Sequence, residues 1–447
     1  MQRTSFPPVL LAAALLLGFD PISVHAQEAS ADPPTDDPSW GLDLGGVLWR
    51  PTIQARPRIE VRVNEYRPGP ADGYDPHFVT MRSRIGLEGR TGPVRGFVQV
   101  QDVRNWGQVG TTAVGGALTG LHQGYLELRD GERGFLRIGR QEVNYGKQRL
   151  VGALDWTSPA RSFDAVRARG FFGDLEVETM GALLRSQQLL TTATDVLATE
   201  GDYMATLLLT YGPADWLRIE PYVLYLHGEG RIDEADNVVD RVRNLASPGI
   251  RVTGDVGSFD YDVELIFQSG KDRVNGAADT ILAFAAITEI GYRLGGPLQA
   301  ALRAGGAYAS GASEGGEVDE LENFFPTNHM HYGYADLFGL RNLIWGFARG
   351  DVAPRGAPLK AELTVHLFGL ANPEARWSNA GGATLGQNPG NDDRFLGAEV
   401  DLQASWTPLP HFGLSGGYAV FVPAQGARNL DNDLIQHWMY LMADTKL

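Results

Sequence analysis

The chain reads as an all-β protein, a transmembrane antiparallel β-barrel of about eighteen strands with short periplasmic turns and long extracellular loops. Three observations predict it. Apolar and polar residues alternate with period two through segments of roughly 8 to 15 residues. The connectors between those segments are short and long in turn, as a closed ring of hairpins standing in a bilayer requires. After residue 26 there is no run of 18 apolar residues, which excludes a helical membrane protein but not a barrel, where only alternate residues meet lipid.

The first element is a leader. Arg3 precedes the apolar stretch Val9 to Phe19 and the small-x-small sequence Val24-His25-Ala26, so residues 1–26 read as a secretory signal peptide. Residues 27–41 are acidic and Pro-rich, a disordered lead-in. Residues 42–447 form the barrel, and the leader directs it to the cell outer membrane. Cysteine is absent, which removes disulfides and thiol chemistry.

Within the barrel region, Phe259 to Ser269 sets Phe259, Tyr261, Val263, Leu265 and Phe267 against Asp260, Asp262, Glu264 and Gln268. One face suits hydrocarbon and the other water. Segments 56–66, 79–90 and 395–407 repeat the pattern. Segments begin near residues 56, 78, 94, 121, 134, 164, 174, 203, 215, 248, 258, 280, 297, 342, 359, 395, 412 and 434. Short connectors such as Thr91-Gly92-Pro93, 170–173, 254–257 and 407–411 supply Gly, Pro or Asp for tight reversals. Long connectors are expected near 67–77, 105–120, 144–163, 186–202, 228–247, 270–279, 310–341, 371–394 and 423–433. An even strand number puts both termini on the short-turn side, the periplasm.

The net charge of −16 is unevenly spread: residues 50–170 carry a balance of +7 and residues 171–447 one of −18. The acidic loop stretches 229–240 and 314–322 read as solvated faces. Arg58, Arg62, Arg82, Arg84, Arg90, Arg95, Arg137, Arg167 and Arg169 fall on the polar parity of the early strands. If that parity lines the lumen, one wall is cationic, and the guanidinium fork matches a carboxylate in two parallel hydrogen bonds. The same residues could instead pair with lumenal Glu60, Glu88 and Glu127 and bridge strands; the two readings are compatible. In the second half the polar parity carries Asp262, Glu264, Glu289, Glu362, Glu399 and Asp401, so the lumen has two faces of opposite sign.

Longer motifs are more specific. Arg137 to Gly152 (RIGRQEVNYGKQRLVG), then Asp155-Trp156 and Ala160 to Arg167 (ARSFDAVR), closely resembles the signature of the alginate export family of outer-membrane porins. Phe325 to Asp336 (FPTNHMHYGYAD) resembles that family's late Pro-Thr-Asn-His loop, and Gln99 to Trp106 its third strand. The resemblance runs from about residue 42 to the end. It implies an eighteen-stranded barrel, a basic pore that draws a polyuronate outward, a loop folded into the lumen and a periplasmic plug. It makes 144–163 and 310–341 the candidate constricting loops. Pore-lining contacts to an anion are expected from Arg58, Arg62, Arg82, Arg84, Arg137, Arg140, Lys147, Arg149, Arg161 and Arg167, with Arg140 on the apolar parity at the rim. Asn328, His329 and Tyr332 are expected to hold loop conformation.

The partners so implied are an anionic polysaccharide or oligosaccharide such as alginate, outer-membrane lipid, the barrel assembly machinery and periplasmic export proteins. No nucleic acid, cofactor or metal is called for. Nor is an enzyme: His329, His331 and Asp336 match no metal-ligand spacing, and no Ser-His-Asp or paired-carboxylate arrangement can be placed. Two alternatives stay open, a general or small-anion uptake porin on the same barrel and a secreted β-rich carbohydrate-binding protein.

Overall fold

Alternating residues become strands whose two faces meet opposite surroundings. A computed structural model describes residues 41–66, 75–106, 118–185, 189–192, 195–198, 201–232, 238–274, 276–312 and 319–447. The expected signal peptide and all but the last residue of the lead-in lie outside these. The ring is built from β1 (Val47–Val63), β2 (His77–Thr91), β3 (Val94–Asn105), β4 (Leu118–Arg129), β5 (Gly134–Gln141), β6 (Phe163–Phe172), β7 (Leu175–Arg185), β8 (Asp202–Ala214) and β9 (Leu217–Ile232). It continues through β10 (Val238–Val256), β11 (Phe259–Val274), β12 (Ala277–Gly295), β13 (Ala300–Ala309), β14 (Leu343–Val352), β15 (Leu359–Gly369), β16 (Phe395–Leu409), β17 (Phe412–Pro423) and β18 (Gln436–Lys446). Each strand pairs antiparallel with the next, and β18 returns to β1 through Arg58↔Met442 and Val63↔His437, which closes a ring of eighteen strands; a short additional strand, Leu42–Leu44, pairs on the start of β1. Closure leaves no strand edge and satisfies every ladder within the ring, the condition for crossing hydrocarbon.

The burial pattern is inverted relative to a water-soluble sandwich. Ile85, Leu126, Ile138, Leu282, Leu363 and Leu402 are exposed on the outer face, whereas Arg82, Glu127, Arg137, Gln268, Glu399 and Asp401 are buried on the inner one. Phe259 and Tyr292 on β11 and β12, with Trp216 and Trp406, mark the short-turn end of the outer face; Phe284 and Tyr308 sit toward the long-loop end. Aromatic rings at both ends of an apolar band are the girdles expected at lipid–water boundaries. The secreted, non-membrane alternative is thereby set aside.

The alternation of connector length holds, with two corrections. The long connectors expected at 228–247 and 270–279 are mostly strand, since β9 runs to Ile232, β10 starts at Val238, and β11 and β12 are separated only by residues 275–276. Charged residues there looked like loop, but they alternate and pair across strands: Arg243 faces Asp272 in register, and Arg241 forms an ion pair with Asp272. The first strand also starts earlier than residue 56. Pro51 and Pro57 lie within it, both on the outward parity of β1, beside Ile53 and Ile59. Tight turns follow expectation: Gly257, at φ +65°, opens the two-residue reversal between β10 and β11.

Two long connectors turn inward. Residues 142–162 follow β5, and the described residues 310–312 and 319–342 precede β14. They join each other where Val151 bridges Phe325 in parallel, with Gly152 N donating to Phe325 O (2.8 Å) and Phe325 N to Leu150 O (2.8 Å). Their apolar side chains form a core inside the ring: Leu150, Val151, Tyr332, Leu337 and Phe338 pack among Phe368, Trp377, Phe421 and Trp438. Phe338 stacks on Phe368 with centroids 3.7 Å apart. Glu320 and Glu322, expected on a solvated loop face, are instead tied to Arg376 (2.7 Å) and Arg243 (2.8 Å), because a loop that enters the lumen takes its charges with it.

Candidate functional site

The register of the sheet sets several like charges opposite each other on the lumenal face, Arg137 and Arg167 among them, and two of these contacts meet the inward loop. Arg56 of β1 stands directly opposite Arg82 of β2, with Gln54 opposite Arg84 one step along. Far round the ring, Asp262 of β11 stands opposite Glu289 of β12. Such pairs repel when nothing lies between them. In each case the inward loop 142–162 supplies the missing sign.

At the basic pair, the carboxylate of Asp155 lies 2.8 Å from Arg82, 3.3 Å from Arg56 and 3.6 Å from Arg84. Burial alone would raise its pKa, but Arg82 and then Arg56 outweigh that and hold it down to about 2. Arg56 also donates to the carbonyls of Trp156 (3.3 Å) and Thr157 (3.2 Å), and Arg58 donates to the Trp156 carbonyl while its guanidinium lies 4.2 Å from the Trp156 ring centre. That indole also stacks on His329, centroids 4.0 Å apart and planes within 7°. Trp438 and Tyr440 of β18 approach it edge-on. Ser158 Oγ donates to Thr80 Oγ1 at 3.1 Å and holds the loop tip to β2.

At the acidic pair, Lys147 reaches Glu289 (2.7 Å) and Asp262 (3.1 Å). Arg149 reaches Glu289 (2.6 Å), Glu264 (2.7 Å) and Asp262 (3.3 Å), and its guanidinium is fully buried. Beneath the loop, toward the short turns, is a cavity of about 150 Å³ edged by Arg169, Glu178, Glu220 and Tyr222.

The remaining expected contacts are distributed between the walls and the loops. Arg137 is bound to Glu127 (2.5 Å) and Arg167 to Glu178 (2.6 Å), parts of a belt of alternating charge that continues through Arg251 with Glu220 and Asp262 (both 2.7 Å). Arg62 pairs with Glu65 (2.8 Å) and Glu60 (3.3 Å), and Arg58 with Glu60 (2.6 Å). Arg140 meets Asp164 (2.9 Å) at the rim, its side chain more than a third exposed. Arg161 donates to the carbonyls of Gly152 (3.0 Å), Phe325 and Pro326 (3.2 Å), and so clamps the two loops. Among the described residues, Arg82 Nε and Nη2, Arg84 Nη2 and Arg58 Nε are buried without a hydrogen-bond acceptor. Three of these nitrogens, on Arg82 and Arg84, belong to guanidiniums that also pair with Asp155; others lie elsewhere, on Arg62, Arg95, Arg140 and Arg243.

In the second loop, residues that the sequence singled out and others that it did not make contacts with their surroundings. Asn328 Nδ2 donates to Ala380 O (2.7 Å), His329 Nδ1 pairs with Asp336 (2.9 Å), and buried Tyr332 packs edge-on against Trp345. Burial, with the Arg149 charge second, pushes His331 down to about 3, and the neutral ring donates from Nε2 to Lys147 O (2.7 Å). The acidic wall receives this loop through backbone amides: Ala335 N donates to Glu399 (2.9 Å) and Tyr334 N to Asp401 (3.1 Å). Gly333, at φ +83°, permits the approach, since a Cβ there would sit 2.5 Å from Glu399 Oε1.

Sequence reasoning did not single out Arg56, although it shares the parity of Arg58 and Arg62. It quoted Asp155 and Trp156 within a motif and gave them no role. The opposed registers that make these residues matter appear only once strands are paired.

Solved barrels share this architecture. Pseudomonas aeruginosa OccK11 (OpdR) is 13% identical, the match covering 89% of this chain and 96% of that one with a TM-score of 0.56. Pseudomonas aeruginosa OccK2 (OpdF), solved in complex with glucuronate, is 11% identical over 89% and 96% of the two chains with a TM-score of 0.56. Pseudomonas aeruginosa OpdK, solved with vanillate, is 11% identical over 89% and 98% with a TM-score of 0.55. At such identity the likeness is one of fold. No curated protein matches the chain by sequence. The family model described as alginate export matches residues 51–434, and the chain therefore belongs to the alginate export family of outer-membrane β-barrel channels.

Proposed function

We propose that this outer-membrane channel conducts anionic saccharides, with alginate or its uronate oligomers as cargo, along the basic arc formed by β1 and β2. The observation that carries this reading is the convergence of Arg56, Arg82 and Arg84 on one carboxylate inside the lumen. Guanidinium donors around a carboxylate are the recognition a uronate needs, and Arg58 and Arg62 extend the arc along β1. The long belt through Arg137 and Arg167 sets the field of the wall rather than offering free donors, because carboxylates of neighbouring strands hold those guanidiniums.

A second reading, passage of small anions rather than polymer, is favoured by the joining of the two inward loops across the lumen at Val151 and Phe325. Single-channel recording separates them. Glucuronate and short alginate oligomers added to either side are expected to block the current, with block strengthening as the oligomer lengthens. Block by glucuronate that does not strengthen with length supports the small-anion reading. No block by any uronate would overturn both.

A further inference from the structure

We infer that Asp155 and Trp156 are a tethered stand-in for the cargo, occupying a uronate site on the β1–β2 wall that opens when the loop tip withdraws. The inference rests on the anionic-saccharide reading above and adds the site and its occupant. A uronate presents a carboxylate beside a flat-faced ring. The loop tip presents the same two features at the same place: the Asp155 carboxylate on Arg56, Arg82 and Arg84, and the Trp156 ring between Arg58 and His329 with Trp438 and Tyr440 at its edges.

The cradle is built for an anion independently of the loop. Register forces Arg56 and Arg82 face to face, so the wall needs a negative charge between them whether or not the loop supplies it. Asp155 leaves part of the donor set unused, since Arg82 Nε and Nη2 and Arg84 Nη2 meet no acceptor among the described residues. One aspartate has two oxygens, whereas a uronate brings a carboxylate and ring hydroxyls. The exchange is therefore one anion for another. Asp155, about half exposed at its side chain, is also the more accessible end of the loop, whereas Arg149 at the other end is fully buried among three carboxylates.

Removing the stand-in charge should raise the affinity for a free one. In planar bilayers, Asp155→Asn is expected to lower the glucuronate concentration for half-block by about tenfold, the change for a site occupied by its own loop nine-tenths of the time. An unchanged or higher half-blocking concentration overturns the inference. A covalent latch gives a second test that keeps Asp155. The chain has no cysteine, so Thr80→Cys with Ser158→Cys introduces one pair at positions whose hydroxyls are 3.1 Å apart. Oxidation should weaken glucuronate block at least tenfold and reduction restore it; equal block in both states overturns the inference even if Asp155→Asn fails to fold. If the wild-type channel is not blocked by glucuronate at all, it is the anionic-saccharide reading that fails.

Discussion

Lys147 and Asp155 lie on one loop and reach opposite walls of the barrel, Lys147 to Asp262 and Glu289, Asp155 to Arg56 and Arg82. Strands β11 and β12 are ten steps round an eighteen-strand ring from β1 and β2, slightly more than half the circumference. The loop is therefore a charge-matched crossbar. Its basic end neutralises the acidic wall and its acidic end the basic wall, which resolves the two-faced lumen that charge counting alone leaves as a conflict.

Arg149 carries the firm end of the crossbar. Replacing it with Met leaves Asp262, Glu264 and Glu289 short of a partner in a buried setting, a loss of about 3–5 kcal/mol. The expected result is faster amide exchange at residues 147–152 and a shift of ion selectivity toward cations, while the barrel keeps its heat-modifiable migration on gels. Unchanged exchange would show that Lys147 alone anchors the loop.

The second loop depends on one backbone position. Gly333→Ala combines a positive φ with a Cβ only 2.5 Å from Glu399 Oε1, at a cost of about 1–3 kcal/mol. Limited proteolysis should cut within 319–342 sooner than in the parent protein.

Acid should loosen the junction of the two loops in two stages. His331 is held below its ordinary 6.5 at about 3, so its contribution is complete above pH 6.5 and is lost as pH falls toward 3. Asp155, held below 3.8 at about 2, contributes fully above about pH 4 and is lost as pH falls through 2. Trp156 fluorescence and channel noise followed from pH 7 to pH 3 should report the first stage, and His331→Gln should remove it.

Membrane orientation is tested on the outer face. Leu126→Arg places a charge at a two-thirds exposed position of β4 and should destabilise the barrel in bilayers by about 2–4 kcal/mol. Unfolding in urea from lipid vesicles measures this; no loss would contradict a lipid-facing β4.

Period two made the ring legible in residues such as Val79 to Glu88, because each strand's two faces follow from alternation alone. Strand ends were harder. At Arg241, Arg243 and Asp272 the polar residues that suggested a loop are cross-strand partners in a hairpin. The lumenal Arg were visible on parity, but their partners were not: Arg149 finds Glu264 across 115 residues, and Asp155 finds Arg82 across more than 70. Arg56 went unnoticed because its importance comes from facing Arg82, a relation that exists only in the paired sheet.

The most direct measurement is the reversal potential of the reconstituted channel across a potassium chloride gradient, taken for the parent protein and for Arg56→Gln with Arg82→Gln. A conducting arc of guanidinium predicts anion preference in the parent and its loss in the double variant. Cation preference in the parent, or a selectivity that the double substitution leaves untouched, would contradict it.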